Sequence, residues 1–260
     1  MSNKMEQNLP ELPEVVVEVN GKKVSMLEEP KTPTSHMNAQ LLRLLKQENN
    51  EQGRSPLPFL PNKNGYCNVT AAKTVDGYEL QGIQQLMAKV YLHNLGRDND
   101  NICTFNNAVK HGTAIRKGEH GFYLPYYDNK ENKVRAAKHF AASQVKDKDK
   151  LPYVDTTLSK QGQRNSTAFV QESPNPYEYI ENYLKCVHEN RSFTTSPEVA
   201  NKFKEQLAAE IQKDPLSLFK ICNQAQKHIY EQDLAQGKIK PKEKQYKQRE
   251  VQKQREAVER

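Results

Sequence analysis

The chain has 260 residues, enough for one large domain or two small ones, but only 35% of them are hydrophobic. That is below the roughly 45 to 50% of ordinary globular domains even with glycine counted, so part of the chain is expected to lie outside any core. The 39 Lys and Arg against 32 Asp and Glu give a net charge of +7, which favours a polyanionic partner and is equally met by a soluble surface. The four cysteines are scattered without CxxC or Cys/His zinc spacing, and there is no apolar N-terminal segment. A disulfide scaffold and a membrane partner are therefore not expected, and the reading is of a reduced, cytoplasmic protein.

Residues 1–37 are rich in Glu, Pro and Asn and read as a mobile tail, in which VVVEV is the one run able to pair as a strand. Ser35 is a candidate N-cap for a helix with Met37, Leu41, Leu44 and Leu45 on one face. From Ser55 to Gly82 the turn dipeptides Asn64-Gly65 and Asp76-Gly77 predict a loop or hairpin. Ile83, Leu86, Met87, Val90 and Tyr91 then repeat at helical spacing, with Gly96 placed to stop the helix. A shorter helix is expected from Thr104 as N-cap to Gly112, turning Phe105, Ala108 and Val109 inward.

The next stretch, HGTAIRKGEHGFYLPYY at residues 111–127, sets basic and imidazole groups against a run of aromatics. Period-two alternation places Phe122, Leu124 and Tyr126 on one strand face and Tyr123, Pro125 and Tyr127 on the other, with GEHG as the turn from a preceding TAIRK strand. Pro125 cannot donate to a ladder, so this strand belongs at a sheet edge or a bulge. An ordinary hairpin with a tyrosine-rich outer face fits that pattern too. What favours binding is the charge around it, eight Lys or Arg against three Asp or Glu from Thr104 to Lys146. Basic groups that track phosphates, interleaved with rings that stack bases, are the chemistry of single-strand binding. Duplex readers present a recognition helix or zinc finger, and neither pattern is found.

Beyond Gln144 the sequence turns polar and aperiodic, and then helical again. Tyr177, Ile180, Tyr183, Leu184 and Val187 form one stripe; Ser196-Pro197 opens a helix with Phe203, Leu207 and Ile211; Asp214-Pro215 opens another with Leu218, Ile221, Cys222, Ala225 and Ile229. These three read as a small bundle, followed by a basic tail with almost nothing apolar. No chemistry of catalysis is visible. A phosphate loop GxxxxGK[ST] is missing, His111, His120 and His139 have no ligand partners at metal spacing, and HENRS at 188–192 lacks the second histidine of HExxH. No catalytic residue, metal or cofactor is expected.

In order and spacing, PNKNG, LQGIQQLM, TFNNA, HGTAIRKGEHG and HFAASQV resemble landmarks of the N-terminal single-stranded-DNA-binding domain of ArdC-type antirestriction proteins. Gly82-Ile83, Thr104, Phe105, Ala108, Gly112, Arg116, Lys117, Gly118 and Glu119 match the family pattern, with Gln84, His120 and Ile102 as departures. Ile102 stands where that pattern has tryptophan, and longer members of the family continue into a zinc-peptidase-like domain carrying the HExxH that is missing here. The resemblance implies an α+β domain at about residues 38–147, a small mixed domain with a curved antiparallel sheet and two or three helices, binding single-stranded DNA with little sequence preference in plasmid or conjugative transfer or antirestriction. The chain map becomes a tail at 1–37, this domain at 38–147, a linker at 148–176, a helical region at 177–232 and a basic tail at 233–260. Arg116 and Lys117 are assigned to phosphate, Tyr123 and Tyr127 to stacking, and Lys110, Arg135 and Lys138 to flanking charge. The alternative is a protein-interaction module that inhibits a restriction enzyme or recruits a conjugation factor through the C-terminal helices. Neither reading makes the chain an enzyme.

Overall fold

A computed structural model describes residues 16–19, 22–25, 33–128, 131, 133–152 and 168–239. Within the predicted tail, strand β1 (Val16–Val19) pairs antiparallel with β2 (Lys22–Ser25). Helix α1 (Pro33–Leu45) starts ahead of Ser35, since a proline with its fixed φ and missing N–H is suited to the first helical position. Its stripe of Met37, Leu41, Leu44 and Leu45 is buried as the spacing requires. Residues 46–81 are mostly loop, with a tight turn at Asp76-Gly77 closed by the Lys73 and Glu79 bridge.

Helix α2 (Gly82–Asn94) is buried on nearly every side, including Lys89 and His93. Strand β3 (Ile102–Thr104) leads into α3 (Phe105–Lys110) through a capping box, in which the Thr104 hydroxyl accepts from Asn107 N–H and Asn107 Oδ1 accepts from Thr104 N–H. The sheet is three-stranded and antiparallel in the order β3, β5 (Lys133–Ala141), β4 (Phe122–Asp128). The proline-bearing strand is thus terminal, as its missing donor demands.

Its partner is not the one the sequence suggests. TAIRK forms no strand beyond a single bridge from Ile115 to Val145, and FYLPYYD pairs instead with the later KVRAAKHFA. The segment is held instead along residues 144–146, with Arg116 N–H donating to Gln144 O at 2.9 Å and Lys146 N–H to Ala114 O at 2.8 Å.

Strands β6 (Phe169–Gln171) and β7 (Phe193–Thr195) form a parallel pair that frames α4 (Pro176–Glu189), followed by α5 (Pro197–Lys213) and α6 (Ser217–Ala235). Asn175 and Ser196 cap α4 and α5 with their side-chain oxygens. These helices do not stand apart as a bundle. Phe59, from the loop after α1, meets Tyr183 and Phe203 edge-on at centroid separations of 5.9 and 6.0 Å, and the Tyr179 hydroxyl donates to Phe59 O at 2.9 Å. One continuous apolar core therefore runs from Met37 to Ile229. The stretch 153–167 of the expected linker and the basic tail from 240 lie outside the described residues. A second, smaller cluster of Val75, Cys103, Ala108, Phe140, Val145 and Leu151 fills the space between α3 and one face of the sheet.

Candidate nucleic-acid interface

Two side chains help hold the ribbon after α3 to the sheet: Tyr91, whose hydroxyl donates to His120 O at 2.8 Å, and Gln144. Gln144, almost wholly buried, accepts at Oε1 from Ala141 N–H at 2.8 Å and from the Tyr91 hydroxyl at 3.4 Å. At Nε2 it donates to Glu119 Oε2 at 2.9 Å and to His120 O at 3.0 Å. Glu119 in turn accepts from Arg116 Nη2 at 2.6 Å and Nε at 3.0 Å. The hydrogen bonds from Arg116 and Gln144 hold the Glu119 carboxyl below its usual range. Beneath this, Phe122 stacks on Tyr91 with centroids 3.6 Å apart. Gly121 is obligatory at the crossing, because a Cβ there would lie 2.5 Å from His139 O.

Register partners share a face, so Phe122 with His139 and Leu124 with Ala137 point one way, and Tyr123 with Lys138 the other. Leu124 is fully buried against the main core, and burial holds the His139 imidazole below its ordinary pKa despite its contact with Ala137 O. On the opposite face Tyr123 is 54% exposed, and Lys138 Nζ lies 5.8 Å from its ring centroid and 5.7 Å from that of Phe140. A cation over a half-exposed ring is a cation–π pair that leaves the ring's outer surface free for a third group.

The other expected site residues divide. Lys110 and Lys117 are exposed, and among the described residues neither has a carboxylate within ion-pair distance. Arg116 is exposed but paired with Glu119, and Arg135 is paired with Glu131 at the far end of the hairpin. Those two arginines bring less free charge than their positions suggest. Tyr127 stands opposite Val134 in the strand, and its side chain lies outside the described residues. Pro125, assigned to the outer face with Tyr123, is buried.

Sequence reasoning missed two exposed groups on α3. Phe105 and Val109, expected inward, are 56% and 53% exposed, and only Ala108 of that set enters the small core. A helix of six residues offers one inward position per turn, and the alanine takes it. Phe105 follows Thr104, the register partner of His139, directly at the end of β3.

Away from the ribbon lies an open cleft of about 710 Å³, lined by residues of the 52–70 loop, among them Arg54, Leu60, Lys63 and Tyr66, together with His93, Asp98, Asn99 and Ser192. Its wall contains a buried charge network. Asp98 accepts from Arg54 Nη2 at 2.7 Å, meets His93 Nδ1 at 2.8 Å, and has Lys89 Nζ at 3.8 Å. Burial raises the Asp98 carboxyl, but His93, Lys89 and Arg54 outweigh it and leave the carboxyl below its usual range. Lys89, with no exposed surface, is pushed down to about 8 by burial, against the opposing pull of Asp98.

No family model matches the chain, and no curated protein matches it. Among solved structures it is similar to the Mn(II)-bound crystal structure of the antirestriction protein ArdC from plasmid R388, with a TM-score of 0.51 and 13% identity over 75% of this chain and 95% of that one. The metal-free structure of the same protein gives 0.49 and 12% over 75% and 94%. At this identity the likeness is one of fold, and it extends past the sheet into the helices. The manganese belongs to that protein. Here His188 is paired with Asp233 and His228 with Glu181, each at 2.8 Å, and no three His, Cys, Asp or Glu side chains converge among the described residues. No helix among the described residues is long and apolar enough to cross a membrane.

Proposed function

We propose that the chain is a cytoplasmic, non-catalytic protein that binds single-stranded DNA with little sequence preference on the outer face of β4 and β5, in an antirestriction or plasmid-transfer role. The observation that carries this reading is the Tyr123 and Lys138 pair, a half-exposed ring with an ammonium beside it; Phe105, Lys110 and Lys117 are also exposed, and neither lysine has a carboxylate partner among the described residues. Bases stack on such rings whatever their identity, while lysines neutralise phosphates, so affinity is salt-dependent and sequence-tolerant. The likeness of fold to ArdC supports the biological setting.

Fluorescence anisotropy with a labelled oligothymidylate tests it. Lys117→Ala should reduce the slope of log K against log salt by about 0.7, the share of one phosphate. Arg116→Ala should reduce it less, since Glu119 already holds that guanidinium. Tyr123→Ala should weaken binding by roughly 1 to 3 kcal/mol and leave the slope nearly unchanged. If all three variants stay folded and bind as the parent does, the β4–β5 face is a structural hairpin and the reading is wrong.

A further inference from the structure

The cleft beside α2 has a mixed lining, in which Pro58, Leu60 and Val69 stand among polar side chains, and two amides in it carry unused donors. Asn62 and Asn68 both line it, and both have their carbonyl oxygens engaged within the chain. Asn62 Oδ1 accepts from Asn64 N–H at 2.8 Å and Tyr66 N–H at 3.2 Å; Asn68 Oδ1 accepts from Thr70 N–H at 3.0 Å. Backbone N–H groups donate only, so these contacts fix which end of each amide is oxygen. Both Nδ2 groups are left without a partner among the described residues, and they are available to the cleft.

Two cations stand with them, Arg54 and Lys63. A Cβ at Gly53 would come within 2.5 Å of Lys63 Cδ, so that glycine, at φ +76°, makes room for the lysine stem across the cleft mouth. Asp98 is the one acid among the lining residues, and Arg54, Lys89 and His93 surround it. Among the lining side chains the cations Arg54 and Lys63 outnumber the single carboxylate, so the wall carries a positive balance. Tyr66, 52% exposed, adds a ring at the rim. The volume falls in the range of roughly 300 to 1,000 Å³ typical of small-ligand sites.

We infer that this cleft is a nucleotide site. A 5′-phosphate would sit against Lys63, which has no carboxylate partner among the described residues, the carbonyl acceptors of a base such as thymine against the Asn62 and Asn68 amides, and its ring on Tyr66. Either a free nucleotide or one unit of a bound strand supplies that chemistry. None of these residues belongs to the β4–β5 face, so the site stands whether or not that face binds DNA.

Calorimetric titration of the full chain with dTMP, thymidine, inorganic phosphate and an eight-residue oligothymidylate tests the assignment. Saturable one-to-one binding of dTMP is expected, with thymidine and phosphate each weaker. Lys63→Glu should weaken dTMP at least about tenfold, and Tyr66→Ala by roughly five- to 150-fold, the range for a lost stack. Both side chains are exposed, and unchanged thermal melting would show the variants folded. Lys227→Ala, at an exposed position of α6 outside both sites, should leave dTMP binding unchanged. An oligonucleotide weakened by Lys63→Glu in the same ratio as dTMP identifies a strand unit as occupant; an unaffected oligonucleotide beside a weakened dTMP identifies a free nucleotide. The inference is overturned if dTMP does not bind saturably, if phosphate alone binds as tightly, or if neither variant changes dTMP affinity.

Discussion

In the shared core Tyr179 and Tyr183 are wholly buried, and their hydroxyls donate to Phe59 O at 2.9 Å and Asn68 O at 2.7 Å; on the sheet face Tyr123 is half-exposed and its ring meets the Lys138 ammonium instead. The same side chain serves two purposes, and the surroundings of its two ends decide which. A buried tyrosine must find a partner for its hydroxyl, and doing so stitches α4 to the loop after α1. The exposed one has no such requirement, so its ring is the part left over for another molecule. Burying the first pair fuses the helical region to the sheet region, while leaving the second open keeps one sheet face for binding.

The sharpest way to break this comparison is to cut the core at its junction. Phe59→Ala removes a fully buried ring that touches both α4 and α5, and should destabilise the protein by about 3 to 5 kcal/mol. Denaturant unfolding should remain a single transition, because both regions share that core. Two separated transitions would show two independent units and undo the comparison.

A second test uses pH. Burial raises all four thiols above their ordinary value of 9.0, Cys103 and Cys186 to about 11 and Cys67 and Cys222 further. An acid whose folded pKa is raised stays neutral in the fold while the unfolded chain ionises. The stability it contributes is full below about pH 9 and is lost as pH rises toward the folded value, at about 1.4 kcal/mol per pH unit for each group. Lys89 acts with the opposite sign: its depressed value of about 8 means its penalty is constant below pH 8 and relieved between 8 and 10.5. Four thiols outweigh one lysine, so stability should be nearly level from pH 7 to 8.5 and fall above 9. Urea unfolding at pH 8, 9 and 10 checks it, and stability rising through pH 10 would mean the thiols are not enclosed.

The smallest effect is the most telling for the outer face. Tyr123→Ala should change unfolding free energy by less than about 0.5 kcal/mol, as expected for a surface position. A loss comparable to that at Phe59 would place Tyr123 among the structural rings and remove the contrast.

The periodic parts of this fold were legible in the sequence, and the paired parts were not. The stripe of Ile180, Tyr183, Leu184 and Val187 gives α4, and Thr104 and Ser196 give their caps, because helix signals are local. Strand β5 gives no periodic signal because KVRAAKHFA mixes alanines and charges with too little apolar contrast to alternate, while TAIRK lies nearer to β4 in sequence without pairing with it. Tyr123 and Lys138 were both legible as site residues, but their contact depends on that register. The Arg54, His93 and Asp98 network lay further out of reach. Its members come from a loop, a helix and a second loop, with 39 and 44 positions separating Arg54 from its two partners. The sharing of one core by sheet and helices was equally hidden, since Phe59 sits in a proline-rich loop that carries no periodic signal.

Gln144 has a consequence for how such sheets could be recognised elsewhere. Its amide accepts from Ala141 and Tyr91 at one end and gives to Glu119 and His120 at the other, so the position acts as a discriminator between nearly isosteric side chains. Glutamate would set a second carboxylate against Glu119, and leucine would strand polar groups at both ends. A library randomised at this single codon and screened for folded protein should return glutamine almost alone. A glutamine three residues beyond the end of a central strand, aligned with an upstream glutamate that salt-bridges its own arginine, is then a search pattern grounded in hydrogen-bond polarity, usable where overall identity has fallen too low to align.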